Sequence, residues 1–264
     1  MADTVARACL AVLCAADPRE KVAAARRAAR DWRLGRLRYE FDAAMPDRPA
    51  RPAEPELRLP RDMPKRGSAG SPRSRIALIH ALAHIEFSAI DLAFDLVGRF
   101  GAGLPRAFVD DWMRVGAEEA MHFALLGRRL RALDSHYGAL PAHDGLWDAA
   151  HVTRNDLTAR LAVVPMVLEA RGLDVTPQTI ERLERAGDML SVRILQRILD
   201  DEIRHVEAGT RWFKYAVNLQ GLDPAKTYQD LVSRYFRGAV KPPFNDSARR
   251  QAGLTREFYV PLAN

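Results

Sequence analysis

The 264-residue chain is 48% hydrophobic and carries a formal net charge of +6, which is enough apolar sequence for a sizeable core and a basic balance that permits binding to nucleic acid or other polyanions. Alternating β-branched runs are nearly absent, and Ala, Leu, Arg and Glu dominate, which excludes a β-rich fold and points to an all-α chain. Two cysteines, Cys9 and Cys14, are too few for a disulfide framework and suit a reducing, cytoplasmic compartment.

Residues 1–44 read as N-terminal helices, over 3–15 and 18–43. Asp17 can cap the second, with Pro18 at its first position and Glu20 three residues after the cap. The apolar run from Ala8 to Ala16 is too short to span a membrane, and no later stretch is expected to do so. Residues 45–73 form a Pro- and Arg-rich linker or strap; from 45 to 75 there are eight basic and four acidic residues, so contact with RNA or a partner is a second reading.

A four-helix bundle is expected over residues 74–219. Its first helix runs from about Ser74 to Phe100 and its second from Leu104 or Pro105 to about Leu133, with a short Gly-Ala-Gly connection that makes them antiparallel neighbours. Residues 134–147 break the helix as a crossover. A third helix is expected over about 146–171, a short one over 177–186, and the last over 187–219. Gly172 and Pro177 leave open whether the third helix continues or a separate segment packs over its end. Residues 220–264, rich in Pro, Gly and aromatics, are expected to pack back on the bundle and cover one mouth of it.

One pattern occurs twice along this bundle. Glu86 is followed 33 residues later by Glu119, and Glu169 is followed 33 residues later by Glu202. In each copy a histidine, His122 or His205, stands three residues after the second glutamate, one turn on along the same helix face. One Glu from each of two helices and Glu-x-x-His from each of the other two is the ligand set of a dinuclear iron or manganese site in a helical bundle. Solvated helix faces are the plain alternative. Against it, Glu86 lies among Ile79, Leu82, Ile85, Phe87 and Ile90, and Glu169 follows Val163 to Leu168. Carboxylates so deep in apolar sequence are costly unless paired or metal-bound.

Carboxylates and imidazoles without thiolates favour iron or manganese over zinc. By symmetry Glu119 and Glu202 are the expected bridges, with Glu86 and Glu169 terminal. Metal-bound histidines usually give their second N–H to a carboxylate, and Glu118 and Asp201, each just before a ligand glutamate, are candidates; as surface charges they need no such role. Arg204 could pair with such a carboxylate. His80 and His84 read as satisfied core or surface residues. His143 and Asp144 could carry a proton relay or substrate contact, or form an ordinary turn with Asp144 as a helix cap.

Several runs resemble a known family: His84-Ile85-Glu86, Glu118 to Phe123, Pro141 to Trp147, Val164 to Asp174, and Asp201 to Val206. Together they resemble the bacterial ferritin-like family called domain of unknown function 455. The resemblance implies a ferritin-like bundle with a diiron centre and no particular reaction. A more distant similarity is to the diiron tRNA hydroxylase acting on a modified adenosine, and the Asp-Glu-x-Arg-His run is similar to that of bacterial multicomponent monooxygenases. Both imply oxygen activation by analogy.

The leading expectation is therefore an oxygen-dependent diiron oxidoreductase. It would act on a small-molecule or nucleic-acid substrate, draw electrons from a separate reductase, need no membrane, and work as a monomer or dimer. The alternatives are an iron-handling protein without an organic substrate and, third, a protein whose metal is purely structural.

Overall fold

The computed structural model describes residues 3–63 and 71–263. The described residues are all-α, with three isolated bridge pairs and no named strand among them. The part of the expected linker over 64–70 lies outside the described residues. The chain divides into two compact units, Met1–Trp147 and Asp148–Asn264.

The first unit is built from α1 (Val5–Leu13), α2 (Pro18–Arg33), α3 (Pro72–Phe100) and α4 (Arg106–Arg131). Asp17 caps α2 through Oδ1, which accepts from Arg19 N at 2.8 Å and Glu20 N at 3.0 Å, with Pro18 at the first position where its missing N–H costs nothing. The helix expected over 18–43 stops at Arg33. Gly35 takes φ +67°, a left-handed conformation that ends a helix, and Arg36 N then bonds back to Asp31 O at 2.8 Å. The chain beyond it is extended and pairs with the start of α1 through Arg38.

α3 and α4 are joined by residues 101–105 and pack along their lengths. Phe87, Phe94, Phe108 and Trp112 are fully buried between and beneath the helices of this unit, each contributing roughly 1.5–3 kcal/mol by leaving water. Gly116 permits the close approach: a Cβ there would stand 2.5 Å from Phe94 Cε2. α3 also corrects one expectation. An 18-residue window within it has mean hydropathy 1.5, so it is long and apolar enough to cross a membrane. That window is 67% buried inside the protein and the helix carries buried Glu86, Asp91 and Asp95, which is the character of a core helix.

Residues 45–58 lie along this unit as a strap. Arg99 Nη2 donates to Pro46 O at 2.9 Å, Trp147 Nε1 to Asp47 O at 3.1 Å, and Ala50 N to Leu13 O at 2.7 Å. Farther on, Arg58 N and Ala142 O form a bridge at 2.8 Å.

The second unit contains α6 (Leu157–Val163), a π-helical turn (Val164–Glu169), α7 (Ala170–Arg185), α8 (Met189–Asn218), α9 (Pro224–Tyr235), α10 (Asp246–Gln251) and α11 (Arg256–Tyr259); the unit boundary itself falls within α5 (Gly145–Val152). The third expected helix is thus interrupted at residues 153–156, then runs on through Gly172 and Pro177 to Arg185. This settles the open alternative: the segment is continuous. Pro165 explains the widened turn, because it has no N–H to give to the carbonyl one turn back. On α8, Gly209 makes room for it: a Cβ there would lie 2.4 Å from Pro165 Cβ. The C-terminal helices pack on α6, α7 and α8 as part of this unit. Asp174 of α7 is buried and receives Arg249 Nε at 2.8 Å, Arg249 Nη2 at 2.7 Å and Asn245 N at 2.9 Å.

Candidate metal centre

The two copies of the sequence pattern fall one in each unit. In the first, the apolar stripe of α3 passes through Ile79, Ala83, Phe87 and Ile90, and Glu86 lies on its flank. The stripe of α4 passes through Trp112, Val115, Phe123 and Leu126, and Glu119 and His122 fall within it. The helical period therefore turns both glutamates and the histidine inward, and all three are buried. His122 Nδ1 lies 3.1 Å from Glu86 Oε2 and 3.4 Å from Glu119 Oε2. One ligand atom from each of the three can be chosen such that all lie within 4.8 Å of one another. Burying two carboxylates together is costly unless positive charge shares the site. Carboxylate and imidazole donors gathered at this spacing could hold a metal ion.

In the second unit, Glu202 and His205 are one turn apart on α8, with His205 Nδ1 3.7 Å from Glu202 Oε1. His205 is fully buried and Glu202 half-buried. Glu169 is the last residue of the π-helical turn and half-buried. Such turns inside α-helices are frequent at functional sites, and no periodicity in the sequence announced this one. Asp201, almost fully buried, is held by two arginines of its own helix: Arg197 Nε at 2.7 Å and Arg204 Nη2. The pairing expected of Arg204 is thus with Asp201. Glu118 is half-buried on α4 beside Glu119.

His80 and His84 anchor the crossover. His80 Nε2 accepts from Gly138 N at 3.0 Å and Leu140 N at 3.4 Å, and His84 Nδ1 meets the Tyr137 hydroxyl at 2.9 Å. Both rings stack on Tyr137. Burial holds each imidazole down to about 4, with His136 adding to the effect at His80 and Arg51 at His84, so both are neutral at pH 7. His143 Nδ1 accepts from Gly145 N at 3.3 Å, an ordinary turn contact, and Asp144 faces Arg48 at 2.9 Å and Arg51 at 3.4 Å.

Sequence reasoning missed a buried ion network behind this loop. Lys21 of α2 and Asp91 of α3 are both fully buried, with Nζ 2.5 Å from Oδ1, and Lys21 Nζ also donates to Val12 O at 3.0 Å. Arg51 of the strap bonds the other oxygen of Asp91. Burial raises the Asp91 carboxyl and lowers the Lys21 ammonium, while their mutual attraction opposes both shifts. The only signal in the sequence was Asp91 standing inside the apolar run of α3.

The match to the family described as protein of unknown function (DUF455) extends over residues 14–260. The chain belongs to the DUF455 family. This DUF455 protein is similar to an uncharacterized protein of Haemophilus influenzae, with 43% identity over 211 residues, covering 78% of this chain and 73% of that one. No solved structure matches the chain. The aligned family span includes all six residues of the repeated pattern, the crossover and the helices of the C-terminal segment up to Tyr259.

Proposed function

We propose that this DUF455 protein is an oxygen-dependent oxidoreductase with a ferritin-like four-helix arrangement of α3, α4, the α6–α7 segment and α8, holding two iron ions, or manganese, through Glu86, Glu119, His122, Glu169, Glu202 and His205. The observation that carries the reading is the buried Glu86–Glu119–His122 cluster, whose spacing the sequence repeats in Glu169, Glu202 and His205. A single buried triad would hold one ion; the repeat calls for two. When bound, iron in such a carboxylate site supplies oxygen activation and the redox change.

The chain's own residues do the rest. Glu119 and Glu202 are the candidate bridges, and Glu86 and Glu169 the terminal carboxylates. Phe87 and Phe123, next in sequence to Glu86 and His122, are buried with ring centroids 5.2 Å apart and would help keep water from this part of the core. Asp201, fixed by Arg197 and Arg204, holds the α8 motif in place. A cavity of about 260 Å³ opens beside the π-helical turn, lined by Met166, Val167, Leu168, Tyr228 and Phe244 with Arg171 and Arg249. Its size and apolar wall suit a small organic substrate, while Arg171 and Arg249 are held by Asp174, which also lines it. This cavity favours an enzyme over an iron-handling protein, which needs no such space. Electrons would come from a separate reductase.

The test is metal analysis of anaerobically purified protein, followed by optical spectra on adding oxygen. About two irons per chain with a transient visible absorption is the expected result. Zinc alone, or no uptake on reconstitution with iron, overturns the reading.

A further inference from the structure

A second concavity, of about 510 Å³, lies between α2 and α4 in the unit Met1–Trp147. Its rim is cationic. Arg19 and Arg26 stand seven residues apart on one stripe of α2, Arg128 and Arg131 face them from the last turn of α4, and His136 adds an imidazole. All five side chains belong to exposed residues. Among the described residues, none of the four arginines forms a salt bridge with a carboxylate. The one acid on the rim, Asp17, already serves through Oδ1 as the cap of α2.

Helix electrostatics accounts for half of this cluster. Cations in the last turn of α4 meet its carbonyl end favourably, whereas Arg19, in the first turn of α2, stands at the end that disfavours positive charge. Four guanidinium groups that repel one another without carboxylate partners are arranged for an anion brought from outside. The floor is different in character: Phe123 and Tyr137 meet edge to face at 5.0 Å, and Val22 lies between the two α2 arginines. The space exceeds what an inorganic phosphate fills.

Gly127 supplies an independent observation. It sits just before the last turn of α4 and lines the cavity, yet a Cβ there would meet only Arg131 Nη1, at 4.0 Å. Packing does not require a glycine at this point, and glycine weakens a helix interior. What its missing side chain preserves is open floor.

We propose that this cavity binds a nucleotide unit, the phosphate on Arg19, Arg26, Arg128 and Arg131 and the planar base against Phe123 and Tyr137. The site is independent of the six metal-ligand residues, although Phe123 follows His122 directly.

Isothermal titration calorimetry of the full-length chain at low salt tests it, with adenosine 5′-monophosphate, adenosine, inorganic phosphate and a single-stranded ribonucleotide trimer as probes. The monophosphate is expected to bind at one site per chain, with adenosine and inorganic phosphate each weaker by roughly tenfold or more. The double variant Arg26→Gln/Arg128→Gln should lose roughly tenfold for the monophosphate while melting within about 5 °C of the parent, since both residues are exposed and Arg128 loses only its small interaction with the end of α4. Gly127→Leu should block binding by filling the floor. A trimer that binds more tightly than the monophosphate identifies a nucleic-acid strand as the occupant; equal or weaker binding identifies a free nucleotide. Adenosine or inorganic phosphate binding as tightly as the monophosphate overturns the proposal, as does binding unchanged in both the double variant and Gly127→Leu. The measurement needs neither metal nor turnover, so its failure leaves the dinuclear reading standing.

Discussion

Glu119 has its carboxylate buried beside that of Glu86 with one imidazole between them. Replacing it by Gln keeps the shape and removes one buried charge. Metal content should fall by about half or more, while the metal-free melting temperature holds or rises, because an isosteric neutral group is easier to bury than a carboxylate. Metal analysis and thermal melts of the same preparations decide this; a variant that unfolds as it loses metal would point instead to a structural ion. His80 carries a different prediction. Its folded-state value is lowered to about 4 from 6.5 by burial, with His136 adding to the effect, and Nε2 accepts two backbone N–H groups in the neutral form. The unfolded chain therefore takes up the proton first. The stability associated with neutral His80 is intact above about pH 6.5, declines as pH falls from there, and is lost by about pH 4, a change of up to about 3 kcal/mol. Urea titrations of wild type and His80→Gln between these limits should show a shallower pH dependence in the variant. Lys21 is the third case. Lys21→Ala leaves Asp91 buried with one cationic partner fewer, and a loss of about 3–5 kcal/mol is expected in equilibrium unfolding.

At the scale of the element, the π-helical turn before Glu169 is the feature that most needs its surroundings. Pro165 removes an N–H, the turn widens, and Gly209 of α8 lies against the proline ring. Gly209→Ala should separate α8 from the turn and cost about 1–3 kcal/mol, measured as a lowered denaturation midpoint. A midpoint equal to wild type would mean that the ring has room to move. The helices themselves were legible in the sequence wherever caps and period agreed: Asp17 with Pro18 starts α2, and the stripes of α3, α4 and α8 carry the ligand candidates inward. The end of α2 was not. Residues 36–43 are polar and aromatic enough to continue a helix, and only the left-handed Gly35 and the pairing of Arg38 with the start of α1 turn them into extended chain. The continuity of α6 through α7 was equally hidden, because Gly172 and Pro177 are breakers by propensity, and packing on α8 overrides them.

For the whole molecule, the segment after residue 220 is an integral part of its unit. The buried Asp174–Arg249 pair ties α10 to α7, and Tyr228 of α9 is buried with its hydroxyl donating to Met166 O at 3.2 Å, at the wall of the smaller cavity. Arg249→Ala should destabilise by about 3–5 kcal/mol, since it strands the Asp174 carboxylate in the interior, and chemical unfolding measures it directly. The native mass bears on function at this scale: one or two chains by light scattering is expected of an enzyme, and a large hollow assembly would move the reading to iron storage.

The sequence by itself determined the all-α class, the caps, and the two Glu…Glu-x-x-His copies, because helical period and residue spacing can be read along the chain. The tertiary structure decided what depends on groups distant in sequence meeting. It buried Lys21 against Asp91 seventy residues away, laid the strap across α3 through Arg51 and Arg99, and gathered arginines from α2 and α4 around one cavity. None of these contacts has a period or a spacing to betray it. Each arises from burial, which forces charged groups to find whatever partner the packing of helices brings within reach.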